Sequence, residues 1–214
     1  MTTVIEIDDL SLRLGGVQLY EGASMAIERG RTYALTGPNG SGKSVLLKVI
    51  CGFVAPDSGR VWVAPEFLSA RRTFPERFGI TIDGPAYLPN RTGLDNLTDL
   101  ARIRKRIGTR EICAAMIRVG LDPDLRQKVR NYSLGMKQKL ALAQALMESP
   151  DVLLLDEPLN ALDRESTKRI KDVLRAEQDR GTTILFTSHS SIDVSELTSH
   201  VYRVDDRRIE TVSV

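Results

Sequence analysis

The most informative stretch of the chain is residues 37–44, which read GPNGSGKS. It matches the pattern G-x-x-x-x-G-K-[ST], in which glycines let consecutive backbone N–H groups point inward at a phosphate. Residues 32–36 before it read as a strand, and 43–51 after it carry apolar residues at helical spacing. A glycine-rich turn that matches by chance is the alternative, and the flanking strand and helix disfavour it. The stretch therefore predicts a phosphate-binding loop at the amino end of a helix.

The residue types of the loop indicate how it binds a nucleotide. The Lys43 ammonium should reach the β- and γ-phosphates, and the Ser44 hydroxyl should bind Mg²⁺. The amino end of the helix adds its partial positive charge to the phosphate site. The residues expected to contact nucleotide in this segment are Gly37, Pro38, Asn39, Gly40, Ser41, Gly42, Lys43, Ser44 and Val45.

The composition is that of an ordinary globular chain. Its 214 residues are 42% hydrophobic and 27% charged, which provides for a core and argues against disorder. A net charge of +2 is too balanced to indicate a nucleic-acid partner. Cys51 and Cys113 fit no metal-ligand spacing, and their apolar neighbours predict two buried, reduced thiols in a cytoplasmic protein. No stretch approaches the ~20 apolar residues of a membrane span, so any membrane part should belong to another chain.

The order of the remaining elements predicts the fold class. Strands at 3–14 and 17–27 should form an antiparallel hairpin before the phosphate loop. Near-continuous apolar runs at 151–157 and 182–188 indicate central parallel strands that are covered on both faces. We therefore predict an α/β fold with a mostly parallel sheet and an amino-terminal antiparallel β subdomain.

A helical block is expected to interrupt this α/β pattern. Helical spacing over 94–107, over 110–120 and from 133 to 147 predicts an inserted helical subdomain at approximately 84–147 within one domain, 1–214. Residues 102–106 read RIRKR. Two interpretations of this segment stay open, a solvated helix face and a contact with a membrane partner or lipid headgroups.

Polar residues end both predicted central strands. Asp156 fits a strand-end carboxylate that holds Mg²⁺, and Glu157 beside it fits a group that polarises water for attack on a γ-phosphate. An ordinary strand-to-turn acid pair is the alternative, which the upstream phosphate loop disfavours. A lone histidine is more often structural. His189, however, ends the next central strand, and this position favours a place in the site.

In combination, these motifs resemble the ATP-binding cassette family, and specifically the nucleotide-binding subunits of ABC transporters. Residues 132–136, YSLGM, stand where that family has its LSGGQ signature. Pro158 and 160–163, NALD, match its D-loop, and 187–189, TSH, match its switch-histidine segment. The motifs occur in family order over nearly the whole chain. The signature form, with the segment 82–85 (IDGP) upstream, is most similar to the exporter ATPases of bacitracin and lantibiotic resistance.

The resemblance implies a RecA-like P-loop NTPase core that binds ATP and Mg²⁺. The implied metal-binding residues are Ser44, Asp156 and Asp83, which aligns with the Q-loop glutamine of the family. The implied catalytic residues are Glu157, which would orient the attacking water, and His189, which would contact the γ-phosphate.

The resemblance also implies partners. Two copies, identical or different, would pair head to tail, so that each ATP lies on the phosphate loop of one and under Ser133 and Gly135 of the other. A separate transmembrane permease subunit would be energised from the cytoplasmic face of the membrane. The loop at 83–96 and the helical block would form the docking surface for that permease.

Three positions depart from the family pattern. Asp83 replaces the Q-loop glutamine, Leu14 replaces the aromatic residue that stacks on adenine, and Leu134 and Met136 replace a glycine and a glutamine of the signature.

Two functions other than transport stay open as alternatives. One is that of a soluble ABC-type ATPase in DNA repair or translation, whose relatives have two cassettes or a coiled-coil insertion. The other is a regulatory module that binds ATP without turnover, against which the acids and the loop lysine argue.

The leucine at position 14 leads to a prediction about the base. Loss of a base–aromatic stack costs about 1–3 kcal/mol by analogy with nucleic-acid stacking, so discrimination between adenine and guanine should be modest. Competition of ATP and GTP against a fluorescent nucleotide should give dissociation constants within about a hundredfold of each other. A larger preference for ATP would contradict this interpretation of Leu14.

Overall fold

Two β-sheets and a block of helices form the structure, a computed structural model in which residues 2–68, 74–84 and 87–213 are described. Pro85, in the exporter-like segment 82–85, lies outside the described residues, as do both ends of the predicted domain, Met1 and Val214. The strands are β1 (Thr3–Leu14), β2 (Val17–Glu28), β3 (Thr32–Thr36), β4 (Ser58–Val63), β5 (Phe78–Thr81), β6 (Val152–Leu155), β7 (Thr183–Thr187), β8 (His200–Asp205) and β9 (Arg208–Ser213). The helices are α1 (Lys43–Ile50), α2 (Gly93–Arg104), α3 (Thr109–Arg118), α4 (Leu134–Leu146), α5 (Arg164–Asp179) and α6 (Ser191–Leu197).

The smaller sheet is antiparallel and has the order β2-β1-β4. Gly15 and Gly16 join β1 to β2 with φ angles of 57° and 83°, the left-handed conformations that a tight two-residue hairpin turn requires. The register of β1 against β2 shifts between Ile7 and Leu10, where Asp9 also has a positive φ. This irregularity gives the strand a bulge rather than a straight course.

The larger sheet has the order β5-β6-β7-β3-β8-β9, and only its last pair is antiparallel. Every residue of β6 and β7 is buried, because the sheet is covered on both faces. The observed strands confirm the predicted α/β class, with a mostly parallel sheet and an antiparallel β part. Parallel strands align their carboxyl ends, so the residues that follow β3, β6 and β7 lie at one edge.

Two hydrophobic clusters cover the two faces of the larger sheet. One contains apolar residues of α2, α3, α4 and α5 with one face of β6 and β7. The other packs the smaller sheet and α1 against the opposite face. The carboxyl half of α4 also contacts β5. The helix that follows the phosphate loop, α1, is therefore packed on one face of the sheet, and the helical block is packed on the other face.

Three details differ from the sequence prediction. The short helix α6 was not expected, and Ser190 caps it by accepting a hydrogen bond from the Asp193 N–H. Cys51 is buried, but Cys113 is only partly buried because it lies beside, not on, the inward stripe of α3. Finally, α2 ends at Arg104, since Lys105 adopts a left-handed conformation that stops the helix.

The basic segment 102–106 is paired with acids of the same chain. Arg102 contacts Asp99 at 3.1 Å, Arg104 contacts Glu148 at 2.8 Å, and Arg106 contacts Glu76 at 2.9 Å. The Arg102–Asp99 pair lies within α2, whereas Arg104 and Arg106 hold the end of α2 against neighbouring segments. Among the described helices, none is both long and apolar enough to cross a membrane.

A fully buried carboxylate joins α3 of the helical block to α5 and to the turn before β7. Glu177 of α5 accepts hydrogen bonds from Arg118 of α3 at 2.5 Å, from Arg180 at 3.0 and 3.1 Å, and from Thr182 at 3.1 Å. A buried charge is tolerated because its oxygens are paired in this way. Arg118 is thus the ionic link between α3 and α5.

Replacement of Glu177 by alanine should destabilise the fold. The change removes the acceptor shared by three donors, and we expect a loss of about 2–4 kcal/mol in the free energy of unfolding, measured by urea titration. Asp179→Ala is the matched control, because Asp179 is exposed at the end of the same helix and should change stability by less than about 0.5 kcal/mol. If both changes lowered the free energy of unfolding by the same amount, Glu177 would not have the stabilising role proposed for it.

Candidate nucleotide site

The phosphate loop lies between β3 and α1, as the sequence predicted. Gly37 has a φ of 139°, and a Cβ at this position would overlap the carbonyl oxygen of Val204 on β8. Gly42 has a φ of 101° and caps α1 directly against the buried ring of Tyr20. The close approach of backbone to neighbouring groups at both positions explains why the loop requires glycine there.

The Lys43 side chain folds over the loop. Its ammonium donates to the carbonyl oxygens of Gly37 at 2.9 Å and Pro38 at 2.8 Å. Burial lowers the pKa of Lys43, and the nearby carboxylates of Glu157 and Asp156 oppose that shift. The structure therefore brings the loop lysine and the two predicted acids into one electrostatic environment.

The two acids follow β6, beside the end of β7. Asp156 accepts a hydrogen bond on Oδ1 from the hydroxyl of Thr187 at 2.7 Å. The backbone N–H of Glu157 donates to the same hydroxyl oxygen at 2.8 Å. Glu157 has a φ of 47°, so the chain leaves the strand conformation at this residue. One threonine side chain thus contacts both acidic residues.

The Glu157 carboxylate is held by two polar side chains. His189 Nε2 lies 2.7 Å from its Oε1 atom, and Asn160 Nδ2 donates to its Oε2 atom at 3.2 Å. The carbonyl oxygen of Glu157 accepts from Gln138 of α4 at 3.1 Å. The predicted catalytic pair, Glu157 and His189, is therefore in direct contact.

The predicted signature residues lie at the amino end of α4. Ser133 caps this helix, with its hydroxyl accepting from the Met136 N–H at 3.1 Å. Gly135 packs against the carbonyl oxygen of Ala161, and Leu134 between them is 65% exposed. Among the contacts of the described residues, none joins Ser133 or Gly135 to the phosphate loop of the same chain. The signature segment therefore faces outward, next to the D-loop.

The structure pairs Asp83 with a lysine of α1. Asp83 lies two residues after β5, and its Oδ2 atom contacts Lys48 Nζ at 2.6 Å. This contact supplies a positive charge to a carboxylate that would otherwise repel a nearby phosphate. Leu14, at the expected base position, is 48% exposed at the end of β1. The metal role of Asp83 stays a prediction.

Four side chains near the site were not predicted as site residues, although Thr187 lies in the segment 187–189 that was matched to the family. Thr187 is a polar residue inside an apolar run, a signal that could have marked it. Gln138 and Lys48 reach their partners across elements, which local spacing does not reveal. Tyr20 has a buried hydroxyl without a hydrogen-bond partner among the described residues, and burial raises the pKa of Tyr20.

The residues present fit a bound Mg²⁺ ion. Within the described ranges, no group of three or more His, Cys, Asp and Glu side chains could hold a metal ion. Mg²⁺ needs no such group when it is bound through one carboxylate, substrate phosphates and waters. Asp156, whose hydrogen bond to Thr187 uses Oδ1, and Ser44 at the start of α1 provide oxygen donors of that kind.

This fold and this loop define a P-loop nucleotide-binding protein, and comparison with known proteins gives its family. The sequence model of the family described as ABC transporter matches residues 20–160. The chain is 36% identical over 208 residues to the uncharacterized ABC transporter ATP-binding protein YybJ of Bacillus subtilis (strain 168). This match covers 97% of this chain and 95% of that protein. It is 32% identical to the bacitracin transport ATP-binding protein BcrA of Enterococcus faecalis, over 92% of this chain and 65% of that protein. It is 31% identical to the lantibiotic transport ATP-binding protein SrtF of Streptococcus pyogenes, over 92% of this chain and 85% of that protein.

Solved structures show the same fold. A dimeric ATP-binding cassette in a post-hydrolysis state, bound to ADP and phosphate, matches with a TM-score of 0.85 at 20% identity over 98% of both chains. A second dimeric cassette matches with a TM-score of 0.83 at 22% identity, over 96% of each chain. The chain belongs to the ABC transporter family, and it is an ATP-binding ATPase of that family. The predicted family and the predicted similarity to bacitracin and lantibiotic transport ATPases are confirmed.

Proposed function

We propose that this chain hydrolyses ATP to energise a separate transmembrane permease, as part of an exporter at the cytoplasmic face of a membrane. The observation that carries the proposal is the hydrogen-bonded set of Asp156, Thr187, Glu157 and His189 beside the loop lysine. Phosphoryl transfer to water uses a loop lysine, an acid that holds Mg²⁺ and a residue that orients the water, and Lys43, Asp156 and Glu157 fit these three roles. The names of the bacitracin and lantibiotic transport relatives support the exporter assignment.

In this proposal, the loop and its lysine bind the phosphates of ATP. The backbone N–H groups of 37–45 and the positive end of α1 face the anion, and the Lys43 ammonium leaves its own loop carbonyls for the terminal phosphates. Ser44 and Asp156 would hold Mg²⁺, with Asp83 contributing nearby. When bound, Mg²⁺ supplies positive charge that offsets the negative charge developing on the phosphate oxygens.

Glu157 is proposed to orient the attacking water and to accept its proton. Of the two carboxylates after β6, that of Asp156 accepts the Thr187 hydroxyl. The carboxylate of Glu157 does not bond to this hydroxyl. His189 contacts it at 2.7 Å, and this contact fixes the direction of the carboxylate. In the reaction, His189 is proposed to face the γ-phosphate.

A second copy of this chain, or a related subunit, is proposed to complete each site. Ser133 and Gly135 stand at the amino end of α4, and that end carries a partial positive charge suited to a phosphate. Gly135 contacts Ala161 of the D-loop, and no contact among the described residues joins Ser133 or Gly135 to its own phosphate loop. A phosphate of the neighbouring subunit is therefore their proposed ligand. The two nucleotides would then lie between two subunits.

The permease is proposed to dock in a groove between the helical block and the larger sheet. The groove has a volume of about 320 Å³ and is lined by Leu100 and Ile103 of α2, by Phe78 of β5 and by the end of α4. Ile103 is 76% exposed, and Leu88 in the loop before α2 is 54% exposed. Exposed apolar side chains beside paired charges are typical of a protein interface.

The hydrolysis proposal predicts the effect of Glu157→Gln. The amide keeps the size of the side chain but cannot accept the proton of water, so ATP turnover should fall by about a hundredfold or more while ATP affinity is kept. Release of phosphate and binding of a fluorescent ATP analogue measure the two quantities. Glu165→Gln, a change at an exposed glutamate of α5, should leave both unchanged. If Glu157→Gln hydrolysed ATP near the wild-type rate, Glu157 would not be the catalytic carboxylate.

The docking proposal predicts the effect of Ile103→Glu. A charge in the apolar groove should lower association with the permease by about tenfold or more and leave ATP binding intact. Co-sedimentation with inside-out membrane vesicles of the source organism measures this association. Ile117→Glu is the matched control, because Ile117 is similarly exposed on α3 outside the groove. Equal retention of both variants on the vesicles would contradict this docking surface.

A further inference from the structure

Thr187 is the last residue of β7, and its side chain has no exposed surface. Its hydroxyl donates to Asp156 Oδ1 at 2.7 Å and accepts from the Glu157 N–H at 2.8 Å. A hydroxyl has one proton to donate and two lone pairs. The donor is therefore committed to Asp156, and one acceptor position is committed to Glu157. Both contacts fall on the two residues proposed to hold Mg²⁺ and to activate water.

The backbone cannot replace these contacts. The ladder between β6 and β7 has its last register pair at Leu155 and Phe186. Beyond that pair, Glu157 adopts a φ of 47°, and its N–H bonds to a side chain instead of a strand carbonyl. On the other side, the Asp156 N–H bonds to the Thr81 carbonyl oxygen at 2.8 Å. The Thr187 hydroxyl therefore extends the strand pairing past the point where the regular ladder ends.

We propose that Thr187 is a positioning residue that sets both the metal-binding carboxylate and the backbone of the catalytic glutamate. This inference rests on the proposed roles of Asp156 and Glu157. The O–H···O⁻ bond to Oδ1 is charge-assisted, which makes it strong and directional, and it fixes the rotation of the Asp156 carboxylate. The bond from the Glu157 N–H fixes the turn that carries the catalytic side chain toward His189.

The chemistry of the position separates this role from simple packing. Valine has nearly the same shape as threonine but can neither donate nor accept a hydrogen bond. In Thr187→Val, the Glu157 N–H loses its partner and Asp156 loses its donor, while the apolar contacts of the side chain stay. Partners of metal-binding carboxylates typically change metal affinity by about 10–100-fold when they are removed. A loss on that scale is expected here.

The experiment compares nucleotide binding with and without metal. Calorimetry gives the affinity of the purified chain for a non-hydrolysable ATP analogue in EDTA and in excess Mg²⁺, and the ratio of the two is the gain due to metal. Thr187→Val should reduce this gain by about tenfold or more without changing the affinity in EDTA. Turnover at saturating Mg²⁺ should fall as well, because Glu157 is displaced independently of the metal. Thr187→Ser keeps the hydroxyl and should retain both properties.

A matched control lies in the same strand. Thr183 is also buried in β7, and its hydroxyl accepts a hydrogen bond from the Gly30 N–H at 3.0 Å, away from the acids. Thr183→Val should lower the melting temperature but leave the Mg²⁺ gain unchanged. If Thr187→Val behaves in the same way, Thr187 is only structural and the inference is overturned. Should Thr187→Val not fold, Thr187→Cys, a weak donor of similar volume, should show the same reduced gain.

The same data distinguish this inference from the proposed function. A wild-type chain whose affinity gains nothing from Mg²⁺ would overturn the metal site itself, and the inference with it. If Mg²⁺ raises the affinity of the wild type for the ATP analogue and does so equally in Thr187→Val and Thr187→Cys, the inference about Thr187 is overturned and the proposed function stands.

Discussion

The parallel register of three strands is the constraint on which the site depends. β7 pairs with β6 on one side and with β3 on the other, and neighbouring strands lie about 4.8 Å apart. The residues that leave the carboxyl ends of these strands therefore meet at one edge of the sheet. The phosphate loop follows β3, the two acids follow β6, and Thr187 ends β7 two residues before His189. A change in this register would separate the groups.

Burial gives these polar contacts their strength. All residues of β6 and β7 are buried between two hydrophobic clusters, so water does not compete at the Thr187 hydroxyl. In such surroundings a hydrogen bond is electrostatically stronger than in water, and an unpaired group is costly. Lys43 is almost fully buried nearby, and it lies on carbonyl oxygens of its own loop. The Thr187 hydroxyl therefore holds the two acids in place, and the loop carbonyl oxygens hold the lysine.

The sequence predicted the elements better than the contacts between them. The glycine pattern of the loop and the apolar runs of β6 and β7 are local signals, and they located the phosphate loop, Asp156, Glu157 and His189 near one another. The seven-residue helix α6 is too short for a clear periodicity. The pairs Asp83–Lys48 and Thr187–Asp156 join residues far apart in the chain. Such pairs depend on strand register and side-chain direction, which no single window of the sequence contains.

We propose that one chain carries two halves of a nucleotide site on separate surfaces, the phosphate loop and the amino end of α4. The most direct test is the molar mass of Glu157→Gln by light scattering, with and without ATP, because slow turnover preserves the ATP-bound form. We expect the mass of two chains with ATP and of one chain without it, and no ATP-dependent increase when Lys43→Ala is added. A variant that binds ATP and keeps the mass of one chain would contradict a site completed by a second copy.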